Sequence, residues 1–111
     1  MAREALTAQD LTGAGVTPTY RAAVADGHSI AGDGRTFLHV KNAGASSVTV
    51  TVQTPLTVDG LGVSDQTVTL AATTGDKMIG PFTPATFEQA DGSVYIDYSA
   101  ISGVTVAALR V

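Results

Sequence analysis

The chain of 111 residues contains no cysteine and no tryptophan. The absence of thiols excludes disulfides, thiolate nucleophiles, zinc–thiolate sites and iron–sulfur clusters, and is consistent with synthesis and assembly in a reducing cytosol. Aromatic residues make up only 5% of the chain. A planar row of aromatic rings, which carbohydrate-binding modules often present, is therefore difficult to assemble. Tyr95 and one neighbour are the candidates for such a site, whereas Phe82, Phe87 and Tyr98 are expected to pack in the core.

Charged residues are also scarce, at 14% of the chain against about 25% in an average globular protein. Six Lys and Arg residues face ten Asp and Glu residues, which gives a net charge of −4. This is the wrong sign for holding a phosphate backbone, so no nucleic-acid partner is expected. A surface this poor in charge suggests contact with other protein. A charge-poor but monomeric β domain is an equally weighted alternative.

Long apolar runs are missing as well. No segment approaches the roughly 20 apolar residues of a membrane span, so no membrane partner is expected. The first residues, Met1–Leu6, lack the apolar stretch of a secretory signal, and we expect the protein to stay in the compartment where it is made. The length predicts one domain with a core of its own.

Alternation of apolar and polar residues dominates from Thr36 onward. In Val48–Gln53 the valines occupy one face and Thr, Thr and Gln the other, as a half-buried strand requires. Strands are predicted near Thr36–Lys41, Val48–Thr54, Gln66–Ala71, Lys77–Phe82, Ser93–Tyr98 and Val104–Val111. Asp-Gly and related turn pairs separate them. A parallel sheet is not expected, because there is no room for crossover helices. The predicted fold is all-β, an antiparallel β-sandwich or jelly-roll-like barrel.

The first 35 residues lack sustained periodicity of either kind. We divide the single domain into an N-terminal arm with irregular strands, residues 1–35, and a β-sandwich body, residues 36–111. Isolated large apolar residues in the arm are the predicted contacts to a neighbouring protein or a sister subunit: Leu6, Leu11, Val16 and Tyr20. Deleting Met1–Thr17 is expected to leave a folded sandwich, with the loops around Asp59–Asp65 and Thr83–Asp91 as the other candidate contacts. The predicted core includes Val50, Ile79, Val94, Ile96 and Val106.

Catalytic and ligand-binding patterns are weak. His28 and His39 have no metal-ligand spacing, and His39 is expected at a surface or an interface. No G-x-S-x-G motif is present, and the Gly-rich stretches do not continue into phosphate loops. Asp59 with Asp65, or Asp26 with Asp33, lacks the spacing of an EF-hand. No catalytic residue, metal or cofactor is predicted, and the protein is not expected to be an enzyme.

Four segments carry a resemblance to a known family: Thr17–Tyr20, Asp33–Asn42, Ile79–Phe82 and Gly103–Leu109. On these segments the chain resembles the small β-rich proteins that tailed bacteriophages, particularly those of actinobacterial hosts, encode beside the major capsid protein. The resemblance runs over most of the chain, and its elements are structural. It implies a capsid decoration protein, also called a cement or minor capsid protein, which binds the outside of the head.

The resemblance also implies partners and a location. The major capsid protein is the expected partner, and the protein is expected on the capsid exterior of the virion after synthesis in the host cytoplasm. Decoration proteins are commonly symmetric oligomers, so a homo-oligomer is expected, with a trimer as the first expectation and a monomer as the second. Two alternatives remain open: a β module that binds carbohydrate or a host surface, and a head–tail or tail component.

Overall fold

A computed structural model of the chain describes residues 4–90 and 92–110. Strands account for 46% of the structure and helix for 4%, so the prediction of an all-β fold is confirmed. The strands are β1 (Glu4–Ala5), β2 (Gln9–Asp10), β3 (Arg21–Ala22), β4 (His28–Ala31), β5 (Thr36–Asn42), β6 (Val48–Val52), β7 (Thr57–Val58), β8 (Leu61–Gly62), β9 (Gln66–Leu70), β10 (Gly75–Ile79), β11 (Ser93–Tyr98) and β12 (Val104–Arg110). A single helical turn, α1, spans Pro84–Phe87.

The strands form two sheets packed as a sandwich, together with a separate two-stranded hairpin. The first sheet has the order β1-β4-β11-β6-β9, and the second has the order β10-β5-β12-β2, with β3 also pairing with β12. Strands β7 and β8 pair only with each other. Because β9 and β10 are edge strands of different sheets, one side of the sandwich ends in two strand edges.

Alternation along the long strands explains the core. In β5 and β6 every second residue is buried and the residues between are half-buried, so each strand places one face inside. All five residues predicted as core, Val50, Ile79, Val94, Ile96 and Val106, are buried, which confirms that prediction. Phe82 is buried, and Phe87 and Tyr98 pack against the same cluster, as expected.

Two parallel pairings correct the expectation of purely antiparallel sheets. Strand β1 runs parallel to β4, and β2 runs parallel to β12. Each of these edge strands has only two residues. They reach a parallel register by passing along the sandwich as an extended chain, so no crossover helix is needed and the sheets are mixed.

The N-terminal segment lies against its own sandwich. Residues 4–31 add strands to both sheets, and Leu6 is buried in the core between them. The backbone N–H of Leu6 donates to Ser29 O at 2.8 Å, and that of Leu11 donates to Arg110 O at 2.9 Å. The described part of the predicted arm therefore extends as irregular strands over the sandwich, and it contributes to the fold.

Candidate interaction surface

The hairpin between β6 and β9 is the most exposed apolar element of the described chain. Asp59 and Gly60 form its turn with φ of 52° and 78°, the positive values at both central residues that a tight type I′ hairpin needs. Below the turn, Val63 N–H donates to Leu56 O at 3.3 Å. At the base, the carboxylate of Asp65 accepts a hydrogen bond from Thr54 N–H at 2.8 Å.

The pairing register places four aliphatic side chains on one face of this hairpin. Thr57 pairs with Gly62 and Val58 with Leu61, and side chains two residues apart in a strand share a face. Leu61 is 73% exposed and Val58 56% exposed. We call this surface, which also includes Leu56 and Val63, the hairpin face. Solvent reaches it in the isolated chain.

A groove opens on the side of the sandwich where β9 and β10 form the sheet edges. Its volume is about 390 Å³. Most of its lining is apolar: Gln66, Val68, Met78, Ile79, Gly80, Pro81, Phe82 and Phe87. Phe82 and Phe87 meet edge to face with ring centroids 5.6 Å apart, and Met78 is 67% exposed. The groove exists because no strand bridges the two sheet edges here.

Charge is distributed unevenly over these two features. Between Lys41 and Lys77 the sequence has no basic residue, and its only charged residues are Asp59, Asp65 and Asp76. The hairpin is therefore purely acidic. Lys77 precedes Met78 on β10, at the edge that borders the groove. Within residues 4–90 and 92–110, Lys77 makes no salt bridge.

A polar cluster occupies the outer face of the second sheet. The hydroxyl of Tyr20 lies 2.6 Å from Nδ1 of His39, and Nε2 of His39 forms a close hydrogen bond with the carboxylate of Asp76. Nζ of Lys41 lies 4.5 Å from the centroid of the Tyr20 ring. If Nε2–H donates to Asp76, then Nδ1 accepts the hydrogen bond that Tyr20 donates. The cluster fixes the segment before β3 to the sheet, and its members do not line the groove.

A second histidine cluster closes the opposite side of the sandwich. His28 is fully buried, and its Nδ1 lies 2.7 Å from the Tyr98 hydroxyl. Its Nε2 lies 3.5 Å from Oε1 of Glu4, and the same carboxylate oxygen lies 3.1 Å from Nε of Arg21. These contacts connect β1, β3, β4 and β11. Sequence reasoning did not predict a buried His28, because it stands in a segment without clear periodicity.

Asp33 and Arg110 form a third polar group. One carboxylate oxygen of Asp33 accepts hydrogen bonds from the backbone N–H groups of Arg35 and Thr36 at 2.9 and 3.0 Å, and the other lies 3.0 Å from Arg110. These hydrogen bonds, led by that from Arg35, lower the pKa of Asp33 from 3.8 to about 2. Arg110 also binds Asp10 at 2.7 Å, and its hydrogen bonds to both carboxylates raise its pKa.

The four predicted contact residues occupy different environments. Leu6 lies in this chain's own core, so in this fold it does not face a partner. Leu11 is 47% exposed, whereas Val16 and Tyr20 are half-buried. Only Leu11 offers a largely exposed apolar side chain. Two of the four residues of the hairpin face, Leu61 and Val63, fall in the Asp59–Asp65 loop, one of the two predicted alternative contacts, and apolar residues flanking Asp59-Gly60 are the sequence signal of this face.

Among residues 4–90 and 92–110, no group of three His, Asp or Glu side chains is placed to hold a metal ion. No helix in that same part of the chain has the length and apolarity needed to cross a membrane.

No protein family, curated protein or solved structure matched the chain. The fold itself defines a class, an all-β domain of sandwich type. In the described residues, the feature of this domain that most clearly lacks an intramolecular partner is the hairpin face. We therefore treat it, with the adjoining groove, as the candidate interaction surface.

Proposed function

We propose that this protein is a virion structural protein: a capsid decoration protein that binds the outer surface of a tailed-phage head and stabilises it. The hairpin face, with Val58 and Leu61 more than half exposed, is the observation that carries this proposal. An exposed aliphatic patch is typical of a protein–protein contact. The resemblance of the chain to small phage head proteins, and its low content of charge, support the same function.

The free energy of such a contact can be bounded. Full burial of a Val or Leu side chain contributes about 1.5–3 kcal/mol, and the hairpin face has four such side chains that are already partly covered. Several kcal/mol are therefore gained when it is buried. Association itself costs about 4–15 kcal/mol, so one hairpin alone gives weak binding. Contacts to several neighbours on a head raise the effective affinity, as in any multivalent assembly.

A carbohydrate- or host-surface-binding module is the second candidate. Tyr95 lies on the outer face of the first sheet, opposite Ser29. Asp97 lies two residues further along the same strand, and Nε2 of Gln53, the residue after β6, donates a hydrogen bond to it at 2.6 Å. An aromatic ring beside amide and carboxylate groups is a usual sugar-binding arrangement. Binding of the protein to glycans or host cell walls, with no binding to heads, would favour this candidate.

The proposal is tested by mixing purified protein with undecorated heads and measuring occupancy by sedimentation and gel densitometry. The hairpin variant is Val58→Thr with Leu61→Thr, which keeps strand-forming residues while removing apolar contact. The matched control is Ile101→Thr, since Ile101 is 40% exposed but lies outside the hairpin and the groove. We expect saturable binding of the parent and the control, and at least tenfold weaker binding of the hairpin variant.

The prediction that the N-terminal segment makes the contact is tested in the same assay. If Leu11→Thr lowers occupancy and the hairpin variant does not, attachment depends on the N-terminal segment and the hairpin is not the contact. If the parent does not bind heads at all, the decoration function is refuted. Counting copies in purified virions distinguishes a decoration protein from a tail component, because hundreds of copies indicate the first and a few copies indicate the second.

A further inference from the structure

We propose that the hairpin face of one copy inserts into the groove between β9 and β10 of a second copy. The inference deepens the proposed function, on which it rests for its place on the head, by naming the partner of the hairpin. The described chain leaves two apolar features uncovered: a protruding surface centred on Val58 and Leu61, and a groove with Phe82 and Phe87 in its lining.

The two features match in size. The groove has a volume of about 390 Å³. An engineered protein cavity of about 150 Å³ holds a benzene molecule, so the groove has room for two aliphatic side chains. Val58 and Leu61 stand directly opposite each other near the tip of the hairpin. They are the pair that would enter the groove first.

The two features also match in charge. The hairpin has Asp59 at its tip and no basic residue, and Lys77 stands on the strand that borders the groove. When a hairpin enters, the Asp59 carboxylate can approach the Lys77 ammonium of the other copy. Pairs of this kind add specificity and orientation to an apolar contact. Two hairpins, by contrast, would repel each other through their acidic tips.

The physics of small hairpins favours an intermolecular partner. A two-stranded hairpin is marginally stable in water unless a third strand or another element packs against it. In the described chain the hairpin face remains exposed, although the hairpin leads directly into β9, whose first residue, Gln66, lines the groove. Hairpin and groove thus form one continuous surface. Two copies related by a two-fold axis can bury both features reciprocally, and a head-to-tail ring can bury them in sequence.

The test measures the mass of the isolated protein by sedimentation velocity and light scattering over a range of concentrations. We expect the parent to self-associate reversibly. Leu61→Asp, in the hairpin, and Met78→Glu, in the groove, are each expected to weaken association at least tenfold. Val68→Thr replaces an apolar side chain of the groove with a polar one of similar volume, and it is also expected to weaken association. Ile101→Asp is the matched control and should associate like the parent. Circular dichroism and thermal melting confirm that each variant is folded.

A charge exchange tests the orientation. Asp59→Lys and Lys77→Asp are each expected to weaken association, and the double variant is expected to recover most of it, because the pair is restored with opposite sign. A parent that is monomeric at every concentration overturns the inference. Association that survives both Leu61→Asp and Met78→Glu overturns it as well, since another surface then holds the copies together.

Two experimental outcomes separate the contact between copies from attachment to the head. If the parent is monomeric but binds heads through the hairpin, the hairpin contacts capsid protein and the contact between copies is refuted. If the parent self-associates through hairpin and groove but does not bind heads, the contact stands and the decoration function is refuted.

Discussion

Replacing Val50 with aspartate tests the packing of the sandwich most directly. Val50 has no exposed surface and lies in the middle of β6, where it pairs with Tyr98 of β11 and Val68 of β9. Strands flank it on both sides and the second sheet covers it. A carboxylate at this position would have no access to water, and no Lys or Arg is buried among the residues that the structure describes.

The stability that Val50→Asp is expected to lose follows from the burial of this position. Losing the buried valine removes about 1.5–3 kcal/mol. A fully buried carboxyl has its pKa raised by up to 3–5 units, each worth 1.36 kcal/mol, so its burial at pH 7 costs about 4 kcal/mol or more. The combined loss is comparable to the whole stability of a small domain, about 5–15 kcal/mol. We expect Val50→Asp to be largely unfolded at neutral pH.

The assay is urea unfolding followed by circular dichroism, with Thr49→Asp as the matched control. Thr49 precedes Val50 on the same strand but faces outward and is half-buried, so its replacement should cost no more than about 1 kcal/mol. Lowering the pH should partly restore Val50→Asp, because the neutral carboxyl is less costly to bury. A Val50→Asp protein that unfolds at the same urea concentration as the parent would refute the assignment of this valine face to the core.

Three further predictions concern the turns and the N-terminal segment. Asp33→Asn should lower the free energy of unfolding by about 1 kcal/mol at pH 7. The pKa of Asp33 is lowered from 3.8 to about 2 in the folded protein, so the difference between parent and variant should vanish as the pH falls through that interval. Equal stability of the two proteins at every pH would contradict this prediction. Gly103→Ala should lower the melting temperature more than Gly60→Ala, since both have φ near 75–78° but only the first would place Cβ 2.6 Å from a backbone nitrogen. The sequence predicted that deleting Met1–Thr17 leaves a folded sandwich. The deletion should instead destabilise the sandwich by about 2 kcal/mol or more, because Leu6 is lost from the core. Unchanged urea unfolding of the truncated protein would support the prediction from sequence.

Local patterns predicted much of the sheet structure. Ser93–Tyr98 was predicted as a strand and has the same bounds in the structure. The strand predicted at Lys77–Phe82 instead spans Gly75–Ile79. It ends there because Gly80 has a φ of 113° and Pro81 has no backbone donor. The Gly80-Pro81 pair is visible in the sequence, but where a strand stops depends on its neighbours as well.

The N-terminal strands could not be predicted in the same way. His28 and Tyr98, 70 residues apart, form a hydrogen bond in the structure, and β2 pairs with β12 almost at the other end of the chain. A strand of two residues is too short to show periodicity. Its hydrogen bonds depend on an edge that exists only after the rest of the sandwich has formed.

The sequence by itself determined the fold class, the alternating faces of the long strands and the core valines, because side-chain direction in a strand repeats every two residues. Its shortage of charge favoured contact with other protein. Only the tertiary structure decided that Leu6 lies in the core, that the side chains of Val58 and Leu61 lie on the same face of the hairpin, and that β9 and β10 border a groove. Each of these depends on pairing register and on which strands end at an edge, and both arise from contacts between residues far apart in the chain.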